Sequence, residues 1–309
     1  MKKIFRIGTR GSLLALTQAG DIQKRLEKVF FGRRFKLVII KTKGDEFQGV
    51  ELFKKNNIGV FTKSIEKKLL EGAIDIAVHS LKDLPTDLAG GLKISAIPKR
   101  IDPRDVILSR KRWSLATIPR GATVGTGSPR RKRQLSRLRP DLQLLDIRGN
   151  LDTRVKRVLK EKRYDAIVVA KAGLFRIKKY LNFTRVIPSD QLLPAVGQAA
   201  IGIQIRSNDG EMYKMTQRLN HARTEKEALA EREFLKCLGG GCRVPVGIHS
   251  KIVKNSIFLR AAVFSPHSNE LVQGEIRMPL VDYKKAGAKL AKRFLKKGAA
   301  KFLKEARNG

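Results

Sequence analysis

The chain has 309 residues, with 66 Lys and Arg against 28 Asp and Glu, a formal net charge of +38. Apolar residues make up 42%, enough to bury real cores, which excludes a disordered polycation, and the length suits two or three domains. No apolar run approaches the roughly 18 residues of a membrane-spanning helix, and two cysteines, Cys237 and Cys242, make neither a disulfide framework nor a four-ligand zinc site.

Strand and helix patterns alternate from the start. Ile4–Gly8 is expected as a strand and Ser12–Val29 as a helix, with Leu13, Leu16, Ile22, Leu26 and Val29 near helical spacing. Arg6 and Arg10 interrupt any apolar stretch behind Met1-Lys2-Lys3, so no secretory signal is expected and a reduced, cytoplasmic protein fits. A strand over Phe35–Thr42 precedes a polar stretch, Lys43–Gly59. A helix over Phe61–Leu70 follows, then short strands at Ile74–Val78 and Leu92–Ile97. Short apolar runs joined by helices predict a largely parallel, buried sheet.

A second unit repeats the theme. Strands are expected at Thr123–Gly125, Gln143–Leu145 and Ala166–Ala170, and helices at Pro129–Leu138, Leu151–Lys160 and Lys171–Tyr180. Beyond Leu219, Thr224 and Glu227 form a capping-box pattern for a helix through Cys237. Strands near Val246–Ile252, Ile257–Phe264 and Leu271–Met278 are close enough in sequence for antiparallel pairing. Asp282–Ala306 reads as one amphipathic, lysine-rich helix. No fixed-period repeat is present.

A chain this basic must meet anions: nucleic acid held by counterion release, or a polyanionic small substrate. A merely solvated basic surface is the bland alternative. The positive excess is spread over the whole chain with a modest central peak, not gathered into the blocks of nucleic-acid tails. Aromatics, 6% of residues, do not interleave with the basic clusters as stacking platforms would.

Five segments carry candidate chemistry. Gly8-Thr9-Arg10-Gly11-Ser12-Leu13 joins a strand to a helix. Its free amides, the Ser12 hydroxyl and Arg10 suit a carboxylate or phosphate, although a plain capped helix has the same pattern. Val78-His79-Ser80-Leu81-Lys82-Asp83-Leu84-Pro85 follows a buried strand. A carboxylate there beside a lysine suits acid–base work or charge stabilisation, if it is not an ordinary surface pair. If the chain stays extended, Ser80 and Lys82 point opposite to Leu81 and Asp83. His79 reads as a packed core histidine. In Gly125-Thr126-Gly127-Ser128-Pro129-Arg130-Arg131, two arginines open a helix against its dipole, which a bound anion would reconcile. Arg148 and Arg154, in Asp146–Arg154, are spaced either to converge on one ligand or to face solvent. In Leu238-Gly239-Gly240-Gly241-Cys242-Arg243-Val244-Pro245, a thiol beside three glycines suits a nucleophile or an attachment point, whereas Cys237 reads as core.

In their order along the chain, these stretches resemble the porphobilinogen deaminase (hydroxymethylbilane synthase) family. The likeness also includes Asp75–Pro85, Asp102–Val106, Arg148–Arg154, Tyr164–Arg176 and Leu193–Gly202, and spans nearly the full chain. The resemblance implies an α/β fold of three domains. Two are periplasmic-binding-protein-like lobes, 1–98 with 197–218 and 99–196, with the active site between them. The third, 219–309, is a smaller α+β domain with an antiparallel sheet that carries the Cys242 loop. It further implies head-to-tail condensation of four porphobilinogen molecules with loss of ammonia, giving hydroxymethylbilane. The reaction is primed by a dipyrromethane cofactor on a thioether at Cys242. The matching catalytic carboxylate is Asp83, which would stabilise the cationic azafulvene formed as ammonia leaves.

Cofactor contacts would come from Ser80, Lys82, Thr126, Ser128, Arg130, Arg131 and Arg148. Substrate contacts would come from Arg10, Ser12, Arg148, Arg154, Arg176 and Phe61. Arginine suits these roles because its fork binds carboxylate in bidentate fashion. No metal, no membrane and no specific nucleic acid are expected, and the chain is expected to be monomeric. The alternative is a non-enzymatic two-lobed anion- or nucleic-acid-binding protein. The sequence departs from the family where Asn56-Asn57-Ile58-Gly59 replaces a Gly-Lys-Gly stretch, at Gly127 and Pro129, and at Lys171, which stands where an apolar residue is common.

Overall fold

The structure, a computed structural model, describes residues 4–42, 62–239 and 244–308. Its elements begin with β1 (Ile4–Thr9), α1 (Leu13–Val29), β2 (Arg34–Ile39), α2 (Lys63–Leu70), β3 (Ile76–Ser80) and β4 (Leu92–Ala96). Next come β5 (Asp105–Ser109), β6 (Thr123–Gly125), α3 (Pro129–Leu138), β7 (Gln143–Leu145), α4 (Leu151–Leu159), β8 (Ala166–Ala170), α5 (Lys171–Ile177) and β9 (Thr184–Val186). The chain continues through β10 (Ile201–Arg206), α6 (Gly210–Gln217) and α7 (Ala222–Cys237). It closes with β11 (Val246–Val253), β12 (Ser256–Phe264), β13 (Leu271–Pro279), α8 (Tyr283–Phe294) and α9 (Ala300–Asn308).

Contacts divide the chain into two compact units, Met1–Ile101 with Ala199–Glu225, and Asp102–Gln198 with Lys226–Gly309. In the first, one five-stranded sheet has the order β2-β1-β3-β10-β4. β1 runs parallel to β2 and β3, while β10 runs antiparallel to both β3 and β4. The expected parallel sheet is therefore mixed: the late strand β10 enters against the other four. Sequence patterning did not mark β10, because a fully buried strand shows no alternation.

The α1 face of this sheet buries Phe5, Ile7, Ile22, Leu26 and Val78. Each fully buried aliphatic side chain contributes about 1.5–3 kcal/mol. Phe5 stacks on Phe35 at 5.4 Å between ring centroids.

The second unit contains a sheet of the same design, β7-β6-β8-β5-β9, with β5 antiparallel to its neighbours β8 and β9. The two sheets thus share one strand order, a repetition of topology that leaves no periodic trace in the sequence. Both open their first strand–helix junction on Gly-Thr, at Gly8-Thr9 and Gly125-Thr126, ahead of a serine N-cap, Ser12 or Ser128.

The same unit holds a three-stranded antiparallel sheet, β11-β12-β13, packed by α7, α8 and α9. Phe234 of α7 meets Phe294 of α8 edge-on at 5.3 Å. The two helices approach so closely at Gly287 that a Cβ there would lie 2.3 Å from the Ala230 carbonyl oxygen. The expected single C-terminal helix is broken, because Gly298 adopts φ +98°, a left-handed conformation glycine accepts without steric cost.

Two local expectations are corrected. Thr224 does not start its helix. The His221 ring caps it instead, accepting from the Thr224 amide at 3.2 Å, while Glu227 accepts from the Ile252 amide. The helix expected to reach Tyr180 stops at Ile177, because Lys178 turns left-handed (φ 54°).

Candidate active site

In the first unit, β1 and β3 end side by side, and the segments that follow them line one concavity. Arg10, Ser12, Gln18, His79, Ser80 and Asp83 face it. Ser12 caps α1 by accepting from the Ala15 amide (3.4 Å). Gln18, one turn further along, donates to Ser80 Oγ at 3.0 Å and so joins the helix to the end of β3.

The chain does not stay extended after Ser80. It curls into a single 3-10 turn, Leu81–Asp83. Leu81 and Leu84 are buried and pin that turn, with the Leu81 amide on the Ala200 carbonyl (3.0 Å). Lys82 and Asp83 are both exposed on this turn, where the alternation of an extended chain does not apply.

His79 is the packed histidine expected, and it also faces this concavity. Burial pushes its pKa down to about 4, and the positive Arg10 pushes in the same direction. Its Nε2 is buried without a hydrogen-bond partner. The imidazole is neutral in the fold, but accepts a proton near pH 6.5 once unfolded. Its stability contribution is thus complete above pH 6.5 and is lost as pH falls towards 4, at roughly 1.4 kcal/mol per pH unit. Denaturant unfolding at pH 7, 5.5 and 4.5 is expected to show this slope, and His79→Gln to flatten it. An unchanged slope in the variant contradicts the assignment.

The second unit gathers the arginines. Ser128 caps α3 and Pro129 takes its first position. Arg130 and Arg131 follow at once, 5% and 6% exposed. The anion that balances them at this helix start is, in part, the chain's own. Asp105, the first residue of β5 and fully buried, accepts from Arg130 Nη2 and Arg131 Nη2, both at 2.8 Å. The two guanidinium groups hold its carboxyl well below the usual carboxylate range against the opposing effect of burial. Removing one partner of such a buried pair costs about 3–5 kcal/mol. Arg130 also donates to the Leu193 carbonyl (2.5 Å), so its fork is committed to the fold.

Arg154, on α4, donates its Nε to the Gly149 carbonyl at 2.8 Å. Burial, followed by repulsion from Arg131, Arg148 and Arg157, pushes it down to about 10. Arg131, Arg148 and Arg157 thus lie within electrostatic reach of Arg154, an arrangement that fits carboxylate ligands. Thr126 is buried, its hydroxyl accepting from the Ser128 amide (3.3 Å).

Arg176 lies in the last turn of α5 in the same unit, half-buried. Lys171 is no free cleft charge, since its ammonium binds Asp102 at 2.8 Å. Phe61, Ile58 and Cys242 lie outside the described residues. Sequence reasoning missed Gln18, Asp105 and Arg157. Asp105 sat in a quoted motif, Asp102–Val106, but nothing local marked it as the arginines' counterion.

Two family models cover most of the chain. They describe the porphobilinogen deaminase dipyromethane cofactor binding domain, at residues 5–214, and the porphobilinogen deaminase C-terminal domain, at residues 225–296. A porphobilinogen deaminase of Pelotomaculum thermopropionicum is 42% identical over 99% of this chain and 98% of its own. The chain belongs to the porphobilinogen deaminase family.

Another porphobilinogen deaminase, from Syntrophomonas wolfei subsp. wolfei, is 43% identical over 98% of this chain and 99% of its own. Among solved structures, an ancestral cationic amino acid solute binding protein matches with a TM-score of 0.43 at 14% identity, over 70% of this chain and 87% of that one. The first porphobilinogen deaminase model is named for a cofactor-binding domain, and its span, residues 5–214, includes Arg131, Arg148 and Arg154. The non-enzymatic alternative is not favoured.

Proposed function

We propose that Asp83 is the catalytic carboxylate and Cys242 the cofactor attachment point of a hydroxymethylbilane synthase. The activity is the family's: porphobilinogen units are joined head to tail with loss of ammonia, in tetrapyrrole biosynthesis. The observation that supports the site reading is the placing of Arg131, Arg148 and Arg157 around Arg154, a local positive excess that suits anions. Each porphobilinogen brings two carboxylates, and a dipyrromethane built from it is a polyanion.

The residues fit that group. In the family pattern, Arg131 and Arg148, with the Ser128 and Thr126 hydroxyls, would hold its carboxylates, and Lys82 and Ser80 would be further cofactor contacts. Arg10, Ser12, Arg154, Arg176 and Phe61 would orient substrate. When bound, the dipyrromethane supplies the nucleophilic pyrrole carbon to which the first substrate is joined. Asp83 stands exposed on its turn and offers a negative charge to the pyrrole nitrogen of a substrate losing ammonia. As the aminomethyl C–N bond breaks, its electron pair leaves with nitrogen, and the cation left on the pyrrole is stabilised by the carboxylate. The same oxygen can take the proton released when the new carbon–carbon bond forms.

Domains at 1–98 with 197–218, 99–196 and 219–309, a monomeric state, a cytoplasmic setting and no specific nucleic-acid partner complete the proposal. The three sheets support the division. No helix among the described residues is long and apolar enough to cross a membrane. Steady-state kinetics on Arg154→Gln tests the carboxylate reading. The KM for porphobilinogen is expected to rise by about tenfold or more in a folded protein. An unchanged KM and kcat would sink it.

A further inference from the structure

We infer that Asp105 is a positioning residue: it holds Arg131 in place for a ligand carboxylate while itself touching none. The inference rests on the carboxylate reading of the arginine cluster.

Asp105 has no accessible surface, so a ligand cannot reach it. Its Oδ1 accepts from Arg131 Nη2 (2.8 Å) and from Gln198 Nε2 (2.9 Å), and its Oδ2 accepts from Arg130 Nη2 (2.8 Å). Gln198 is itself tied to the Pro103 carbonyl (2.6 Å), which fixes the carboxylate at the start of β5.

The two arginines are not equivalent. Arg130 has a second anchor on the Leu193 carbonyl, and Gln134 holds both the amide and the carbonyl of Leu193. For Arg131, Asp105 is the side-chain anchor; the buried Nε atoms of both arginines have no partner, so the Leu193 contact of Arg130 is what separates the two. One carboxylate against two guanidinium groups leaves the cluster one positive charge in excess. Without Asp105, Arg131 would face Arg130 and Arg154 with nothing to hold it against their repulsion.

This gives a test in which position and charge predict opposite signs. Deleting a negative charge beside an anion site should strengthen anion binding if only net charge matters. If Asp105 positions Arg131, the same deletion weakens binding.

The experiment compares wild type, Asp105→Asn, Asp105→Glu and Arg131→Met, purified with their cofactor. It reads porphobilinogen kinetics and, by intact mass, the fraction of chains carrying dipyrromethane. For Asp105→Asn, a KM increase of about tenfold and a reduced adduct fraction are expected, with kcat per adduct-bearing chain changed less. Glu should recover part of the loss. A folded Asp105→Asn protein with a KM at or below wild type overturns the inference. If Arg131→Met leaves both KM and the adduct fraction unchanged, the carboxylate reading falls and takes the inference with it. If Arg131→Met raises KM and Asp105→Asn does not, the inference alone falls. Should Asp105→Asn fail to fold, Asp105→Asn/Arg130→Gln is compared with Arg130→Gln alone. A further rise in KM supports positioning, and no rise or a fall overturns it.

Discussion

Asp83→Ala is expected to fold like the parent and to lose about a thousandfold or more of its porphobilinogen turnover. The fold should survive because the turn is fixed by other groups. Leu81 is anchored on Ala200, the Leu84 amide donates to the Leu81 carbonyl, and both leucine side chains are buried. Asp83 is exposed on that turn, so its removal leaves no buried group unpaired. Turnover should fall because the departing ammonia leaves a cation on the pyrrole, and charge stabilisation at the reacting centre is where an enzyme gains most. Asp83→Asn keeps the shape and removes the charge, so it should lose nearly as much. Ammonia release and porphobilinogen consumption report the loss, and thermal unfolding reports the fold. Turnover within a few fold of the parent contradicts the assignment.

Much of this site was legible because short strand–helix junctions carry their own signals. A strand ending in Gly-Thr ahead of serine announces a capped helix with free amides, and Ser12 and Ser128 are N-caps in the structure. The start and end of α3 and of β6, β7 and β8 follow from Pro129, the flanking glycines and short apolar runs.

What stayed hidden was long-range. Asp105 is 25 and 26 residues from the arginines it neutralises, and no periodicity links them. Without that partner, two arginines at a helix start appeared to need an external anion alone. β5 and β10, the antiparallel strands of the two mixed sheets, were missed because buried strands show no alternation. Their direction is set by where the chain returns to a sheet, not by their own residues. Thr224 misled because its hydroxyl is taken up by His221 and the Arg100 amide, a tertiary arrangement that overrides the local box.

The opening charge also changes meaning. Arg130 and Arg131 are buried against Asp105, Lys171 is paired with Asp102, and Arg6 is paired with Asp75. Several of the positives therefore hold the fold together, while Arg154 lies under repulsion from Arg131, Arg148 and Arg157.

Cys242→Ser is expected to abolish both cofactor attachment and turnover, the largest effect of any single change. The chain has two cysteines, and they differ in chemistry. Cys237 lies in α7 with its thiol on Glu233 Oε1 (3.4 Å). Burial, and then Glu233, push that thiol up, which lowers its thiolate fraction and its reactivity. Cys242 follows three glycines in the sequence and precedes Arg243.

The decisive measurement is the mass of the purified wild-type protein, followed by mapping of the modified peptide. One dipyrromethane on Cys242, retained by a protein that consumes porphobilinogen, is the expected result. A porphobilinogen-consuming protein with no adduct, or with its adduct on Cys237, contradicts it.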